Sequence, residues 1–136
     1  MPESIQLEIV TPERPVVKDT VDGVQIPGVT GYLGILPGHA PLITEIGVGE
    51  IAYHSGGKMS RLSVAWGFAE VLPDKVTILA ETAEKAEEID VARAEAAKSR
   101  AEDALRKAGA AGSPEAQAAL DRAKSRLEVA GKARAV

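Results

Sequence analysis

The spacing of apolar residues changes once along this chain, near residue 83, and the change divides it into two parts. Before that point, apolar and polar residues alternate, as in IQLEI at 5–9 and RLSVAW at 61–66. Alternation places successive side chains on opposite faces of a strand. After that point, alanine makes up roughly a third of the residues, a composition typical of helices. We therefore predict strands over 1–83 and helices over 84–136.

Short turn signals separate the alternating runs of the first part. They are TPERP, PGVTG, PGHAP, HSGGK and LPDK, and each combines proline or glycine with polar residues. Several short strands interrupted at such intervals are typical of an antiparallel β-sandwich or a small barrel. The last strand is expected to include VTILA at 76–80.

The second part contains two helix starts and one break. Asp90 is a good N-cap for a first helix, which Gly109 and Gly112 interrupt. Ser113 can cap a second helix that has Pro114 at its first position. A short link between two helices of similar length predicts an antiparallel hairpin.

The two helices have few large apolar residues with which to contact each other. On the first, Ile89, Ala96, Ala97 and Ala104 are expected to form one side. On the second, the corresponding side is expected to contain Ala116, Leu120, Ala123, Leu127 and Ala130. Burying alanine stabilises a contact much less than burying leucine does. Favourable i, i+4 pairs support the helices themselves: Glu102 with Arg106, Asp103 with Lys107, and Glu128 with Lys132. We predict a hairpin that can detach and remain helical.

Composition and charge exclude several classes of function. The net charge is −4 and the pI is about 5.2, which argues against binding nucleic acid. The chain has no cysteine and no long apolar run, so we expect no disulfide, no thiolate metal site and no membrane span. Any association with a membrane is expected to occur through a partner.

No pattern of residues predicts a catalytic or metal centre. His39 has no serine, cysteine or carboxylate nearby in a nucleophile pattern, so a hydrogen-bonded structural role is favoured over a role as a catalytic base. His39 and His54 lack acidic neighbours at ligand spacing. The glycine pairs lack the Lys-Ser/Thr ending of a phosphate-binding loop.

Four arginines on the predicted hairpin form a positively charged set, Arg93, Arg100, Arg122 and Arg126. Guanidinium groups suit phosphate oxygens, so the set indicates a polyanionic ligand. The alternative is that Glu84, Glu88 and Asp90 neutralise these arginines, and spacing alone favours it.

Three segments carry a resemblance to a known family. GYLGILPGHAPLIT at 31–44, GVGEIAY after it, and AEEIDVARAEAAKSRAE in the second part resemble the epsilon subunit of the bacterial F-type ATP synthase. The resemblance implies a β-sandwich followed by a helical hairpin. It also implies a non-catalytic subunit of the central stalk, at the cytoplasmic face of the cell membrane, which requires no cofactor. The implied partners are the gamma subunit, the c-subunit ring and the catalytic alpha/beta head.

The resemblance also implies three sets of functional residues. A loop facing the c ring comprises Tyr32, Leu36, Pro37, Gly38 and His39. Contacts that inhibit ATP hydrolysis comprise Arg122, Lys124, Arg126, Lys132 and Arg134, although a solvated basic flank is an equally simple interpretation of each residue alone. A regulatory ATP site comprises Glu84, Ile89, Asp90, Arg93, Ala94, Arg100, Arg122 and Arg126. The alternative function is a free-standing β-sandwich adaptor whose hairpin binds an unrelated partner.

Overall fold

A computed structural model describes residues 3–134 of the chain, with side chains as far as Lys132. Seven strands come first, and two helices follow. The strands are β1 (Ile5–Val10), β2 (Pro15–Val21), β3 (Gly23–Gly28), β4 (Gly31–Ile35), β5 (Leu42–Ser55), β6 (Lys58–Val71) and β7 (Lys75–Lys85). The helices are α1 (Val91–Ala108) and α2 (Pro114–Arg134), preceded by the 3₁₀ turns Ala86–Glu88 and Gly109–Ala111 respectively.

The strands form one sheet in the order β2-β1-β7-β6-β5-β3-β4. All neighbouring strands are antiparallel except β1 and β7, which are parallel. Most of the sandwich lies between these two strands in sequence, and a long connection permits the parallel direction that a hairpin would forbid. The predicted sandwich is confirmed, and the parallel pair is the one departure from an antiparallel sheet.

The sheet folds over on itself where its three long strands lose their regular pairing. The register omits Gly47 on β5, Trp66 on β6 and Glu81 on β7. Trp66 has a φ of 49°, which is unusual for a residue other than glycine. The interruption bends β5, β6 and β7 so that β2 comes into contact with β5, which is not its neighbour in the sheet.

A single aliphatic core fills the space between the two layers. Its largest fully buried residues are Ile5, Leu7, Ile9, Ile26, Ile35, Ile46, Ile51, Leu62 and Ile78. All members of this buried cluster lie between Ile5 and Ala83. The sandwich therefore has a hydrophobic core to which neither helix contributes.

Both predicted helix starts are confirmed. The Asp90 carboxylate accepts a hydrogen bond from the backbone N–H of Arg93 at 3.1 Å. The Ser113 hydroxyl accepts one from the N–H of Ala116 at 3.2 Å, and Pro114 is the first residue of α2. Within the described residues, no helix is long and apolar enough to cross a membrane.

Helix α2 covers the outer face of one layer of the sandwich. On β6, Leu62 and Val64 face the core, yet the alternate residues Ser63 and Ala65 are also buried. Ser63 is buried because α2 lies over it and places the Ser125 hydroxyl 2.8 Å from its own. Helix α1 in turn packs mainly on α2. The molecule is thus layered as sandwich, α2 and α1.

Candidate functional site

The contact between the two helices is made almost entirely by small residues. On α1 the buried residues are Ala94 and Ala101. On α2 the buried residues are Ala116, Leu120, Ala123, Ser125, Val129 and Ala130, of which the last three belong to the dock on the sandwich described below. The narrow alanine contact that was predicted between the helices is present.

The predicted face of α1 was wrong in detail. Ala96 and Ala104 are exposed, and Ala97 is only half-buried. Ile89 had been used to define this face, but it lies before the helix in extended backbone. Because Asp90 is the cap, α1 begins at Val91 and Ile89 is not part of its face. The buried residues of α1 are Ala94 and Ala101, seven residues apart on one side of the helix.

The dock of α2 on the sandwich combines a small apolar cluster with polar contacts. Ile89 and Ala86 pack against Val129 and Ala130 of α2. The Ser125 hydroxyl lies 2.8 Å from that of Ser63 and donates to the carbonyl of Gly49 at 3.2 Å. Ser63 and Ser125 are both more than nine-tenths buried.

A cluster of three charges joins the far end of α2 to the sandwich. The Glu50 carboxylate on β5 accepts a hydrogen bond from Lys132 Nζ at 2.6 Å and another from Arg61 on β6. Glu50 had not been predicted as a functional residue, and Lys132 had been assigned to Glu128. Burial alone would raise the pKa of Glu50, but the hydrogen bonds and charges of Lys132 and Arg61 hold it below its ordinary value of 4.5.

The other predicted ion pairs of the hairpin also differ in part. Arg106 pairs with Asp103, three residues earlier, rather than with Glu102. In an isolated helix both spacings are favourable, so sequence alone does not choose between them.

Part of the predicted ATP-binding set converges on Glu84, at the end of β7. Its carboxylate accepts a hydrogen bond from Arg126 Nε on α2 at 2.6 Å and one from Arg93 on α1 at 3.4 Å. Arg126 is largely buried, with 18% of its side chain exposed, whereas Arg93 is 63% exposed. Glu84 thus contacts both helices.

The remaining arginines of that set line a groove between the helices. Arg100, Arg122 and Arg126 are on its walls, together with Ser113 and Glu115. The groove has a volume of about 420 Å³, and its other lining residues are alanines. With three arginines and one carboxylate, its lining carries an excess of positive charge.

Ile89 and Ala94, which were predicted to shape an adenine pocket, are buried in this structure. Their exposed fractions are 4% and 2%. Asp90 serves as the cap of α1. The structure therefore brings together Glu84, Arg93 and Arg126, and groups Arg100 with Arg122 and Arg126, while the other three members of the set lie in structural positions.

Of the three carboxylates that were proposed to neutralise the arginines, only Glu84 is paired with any of them in the part of the chain that the structure describes. Its partners are Arg93 and Arg126. Glu88 pairs with Arg14 of the sandwich at 3.2 Å, and Asp90 accepts a backbone hydrogen bond.

The predicted inhibitory residues occupy different environments. The Arg122 guanidinium lies over the ring of Trp66, 5.2 Å from its centroid, while Arg126 and Lys132 are paired with sandwich carboxylates. Lys124 is exposed, and the side chain of Arg134 lies outside the described residues. Trp66 was missed as a functional residue, although a single tryptophan in a chain with 3% aromatic residues is a signal that sequence offers.

The predicted loop follows β4 and is tightly held. The N–H of Gly38, which has a φ of 88°, donates to the carbonyl of Pro73 at 2.8 Å, and that of His39 donates to Leu36 at 3.1 Å. His39 Nδ1 lies 2.7 Å from the carbonyl oxygen of Ala40, so the predicted hydrogen-bonded role of this histidine is confirmed. Leu36 is 68% exposed, which leaves an apolar side chain at the tip of the loop.

Tyr32 lies at the other end of β4 from this loop. It pairs with Pro27 beside the turn from β3, about 13 Å along the strand from Leu36. Its hydroxyl accepts a hydrogen bond from the N–H of Glu50 at 3.1 Å, and it lines a cleft with Ser125 of α2. The structure therefore places Tyr32 next to the dock of the hairpin, apart from the rest of the predicted loop.

No group of three or more metal-ligating side chains occurs in the part of the chain that the structure describes.

Comparisons with known proteins agree with this architecture. Residues 4–86 match the family model of the ATP synthase delta/epsilon chain β-sandwich domain, and residues 87–131 match the model of its long α-helix domain. The ATP synthase epsilon chain of Koribacter versatilis is 63% identical over 109 residues, which cover 80% of this chain and 77% of that protein. The epsilon chain of Solibacter usitatus is 49% identical over 133 residues, which cover 97% of this chain and 99% of that protein.

A solved structure shares the fold at low sequence identity. A chain in the cryo-EM structure of the Euglena gracilis mitochondrial ATP synthase superposes with a TM-score of 0.81 at 22% identity, covering all of this chain and 84% of that one. At this identity the likeness supports the fold alone. The family models together span almost the whole sequence, and on that ground the chain belongs to the family of ATP synthase epsilon chains.

Proposed function

We propose that this chain is a non-catalytic central-stalk subunit of a proton-translocating F-type ATP synthase, where it couples rotation between the c ring and the catalytic head. Membership of the epsilon-chain family supports the proposal. Its partners are the gamma subunit, the c-subunit ring and the alpha/beta head, and it associates with the cytoplasmic face of the bacterial membrane through the complex. It requires no cofactor.

The hairpin regulates ATP hydrolysis, in this proposal, by leaving the sandwich and extending toward the catalytic head. The observation that carries this step is the separation of the cores: the buried cluster of the sandwich contains only residues from Ile5 to Ala83, whereas alanines dominate the contact between the helices. Detaching the hairpin therefore exposes little large apolar surface. Its departure leaves the core of the sandwich intact.

Deletion of residues 88–136 tests assembly and regulation together. We expect the truncated chain to bind the gamma subunit and to support rotation-coupled synthesis, and ATP hydrolysis by the complex to rise. Copurification of the full chain with a membrane-associated ATPase distinguishes this function from that of a free-standing adaptor. Failure of the truncated chain to join the complex would show that the hairpin is part of the dock on gamma.

The loop from Leu36 to His39 contacts the c ring in this proposal. Its exposed Leu36 and the hydrogen bonds that fix its backbone give a rigid apolar tip. We expect Leu36→Asp to reduce proton-driven synthesis without changing the thermal stability of the isolated chain. Gly34→Ala is a matched control, since a methyl group there meets nothing within 4 Å.

The basic residues of α2 contact the catalytic head when the hairpin is open. Substituting them can also weaken the closed state, because Arg122, Arg126 and Lys132 hold the closed hairpin on the sandwich. Replacing all five by alanine changes both states, whereas Lys124→Ala removes an exposed charge of α2 that takes part in neither of the described ion pairs with the sandwich. We expect Lys124→Ala to weaken inhibition, most clearly at low salt. Equal inhibition at every ionic strength would remove the charge argument.

The groove between the helices binds ATP without hydrolysing it. Arginines suit phosphate oxygens, and the volume of about 420 Å³ is within the usual range for small-molecule sites. A ligand that binds only the closed hairpin favours that state. Glu84 and Arg93 extend the proposed site through the pairing of Glu84 with Arg126. Ile89, Asp90 and Ala94 contribute to it by shaping the hairpin from their buried and capping positions.

Calorimetry of the isolated chain with ATP tests the ligand. We expect Arg126→Ala and Arg100→Ala to reduce the affinity, and Arg93→Ala to do so less, because Arg93 is mostly exposed. Arg106→Ala on α1 is the matched control, since Arg106 pairs with Asp103 and is not among the residues lining the groove. Absence of heat and of thermal stabilisation at high ATP concentration would refute ATP binding.

A further inference from the structure

The described ion pairs between α2 and the sandwich are two, and they lie at different positions along the helix. Arg126 pairs with Glu84 near the middle, and Lys132 pairs with Glu50 nearer the end. The apolar part of this dock is the small cluster of Ala86, Ile89, Val129 and Ala130. Because so few apolar groups hold α2, each polar contact is a large share of the docking free energy.

Glu50 differs from Glu84 in its surroundings. Only 13% of the Glu50 side chain is exposed, and two cations approach it: Arg61 from its own layer of the sandwich and Lys132 from the hairpin. The carboxylate therefore balances a charge that stays with the sandwich and a charge that leaves with α2. If Glu50 lost its charge, Arg61 and Lys132 would repel each other across the same site.

We propose that Glu50 is an electrostatic latch that holds the hairpin closed through Lys132, with Arg61 competing for the same carboxylate. The competition gives the three residues different expected effects. Glu50→Gln removes the attraction and leaves two like charges, Lys132→Gln removes the attraction alone, and Arg61→Gln leaves Lys132 as the sole cation on Glu50. The latch concerns docking, and only its regulatory meaning rests on the proposed function.

The absence of cysteine from the chain provides a direct measurement of docking. Ser63→Cys introduces a single thiol on the sandwich face beneath α2, where the native residue is 6% exposed. A thiol reagent can modify this position only when the hairpin lifts, so the labelling rate follows the opening equilibrium. Ala65→Cys, on the same face, repeats the measurement should the first variant fold poorly. Val64→Cys points into the core and reports opening of the sandwich itself.

At position 63, we expect the highest labelling rate in Glu50→Gln and the next highest in Lys132→Gln. The chain with all three charges should be labelled more slowly than either, and Arg61→Gln should be labelled no faster than that chain. Because Lys132 is half exposed and water screens it, we expect Lys132→Gln to accelerate labelling by up to about fivefold and Glu50→Gln by more. Glu45→Gln, on the same strand, is the control for removing an exposed carboxylate and should leave the rate unchanged.

Three results would overturn the latch. One is equal acceleration by Arg61→Gln and Glu50→Gln, which would indicate general loss of stability rather than competition. Another is an unchanged labelling rate at position 63 in Glu50→Gln. The third is an equal acceleration at position 64, which would show that the sandwich itself opens. Labelling uses the isolated full chain and no ATPase, so the latch can fail while inhibition of hydrolysis is observed, and the reverse also holds.

Discussion

The buried contact between Ser63 and Ser125 offers a quantitative test of how the hairpin docks. The Ser125 hydroxyl makes two contacts, one with the Ser63 hydroxyl at 2.8 Å and one with the Gly49 carbonyl at 3.2 Å. Ser125→Ala removes both and leaves the buried Ser63 hydroxyl without its partner on α2, which costs about 1–3 kcal/mol. Ser63→Ala removes one contact while Ser125 still donates to Gly49, which costs about 0.5–1.5 kcal/mol.

The double variant should cost less than the sum of the two single variants. With both hydroxyls absent, no buried hydroxyl is left without its partner, so the coupling energy between the two serines is about 0.5–1.5 kcal/mol. In the proposed function, a loss of 1–3 kcal/mol in docking raises the ratio of open to closed hairpin roughly 5- to 150-fold. Inhibition of ATP hydrolysis should then increase in the assembled complex.

Urea unfolding followed by far-ultraviolet circular dichroism measures these differences in the free energy of unfolding, because the signal reports strands as well as helices. Ser99→Ala on α1 is the matched control, since Ser99 is exposed and alanine raises helix propensity by a similar amount at both positions. The chain lacking residues 88–136 is a second control, in which Ser63→Ala should cost almost nothing. Equal costs for Ser63→Ala with and without the hairpin would refute the reasoning, as would a cost for Ser125→Ala no greater than that for Ser99→Ala.

Three other outcomes follow from the same structure. Gly67→Ala should lower the free energy of unfolding by at least 1–3 kcal/mol in a urea titration, because a Cβ there would lie 1.8 Å from the Leu79 carbonyl oxygen, whereas Gly34→Ala should be tolerated. The difference in melting temperature between the native chain and Glu50→Gln should be present at neutral pH and vanish in acid. The pKa of Glu50 is lower in the folded chain than its ordinary value of 4.5, so the charged carboxylate stabilises the fold fully above pH 4.5. This stabilisation is lost as the pH falls through the pKa of Glu50 in the folded chain. The other ionisable groups around that carboxylate are Lys132, Arg61, Tyr32, Asp121, Lys124 and Glu128. Ile89→Ala should weaken docking by about 2–5 kcal/mol, measured by thiol labelling at Ser63→Cys, because Ile89 is buried against α2. A labelling rate equal to that of the chain that retains Ile89 would contradict this.

Local features of the sequence predicted local features of the structure. The change of apolar spacing separated strands from helices, because it follows directly from the geometry of each element. The caps Asp90 and Ser113 were predicted correctly, since a cap needs only its own side chain and a backbone N–H a few residues later.

Contacts between distant residues were the ones that the sequence did not predict. Lys132 had a favourable partner four residues earlier, yet it pairs with Glu50, which is 82 residues away. Glu50 itself looks like an ordinary polar residue of an alternating strand. Its importance depends on α2 lying across β5 and β6, and no local pattern specifies where a helix docks.

Arg122 links the two contacts on which the closed hairpin depends. It lines the groove between the helices, and its guanidinium also lies over Trp66 of the sandwich. In the proposed function, ATP strengthens the contact between the helices, while Glu50 and Lys132 hold α2 on the sandwich. Effects at separate sites add, but a residue shared by both contacts couples them. ATP that contacts Arg122 in the groove therefore also fixes a residue that holds α2 on the sandwich through the Trp66 contact. Arg100 on α1 can affect docking only through the contact between the helices.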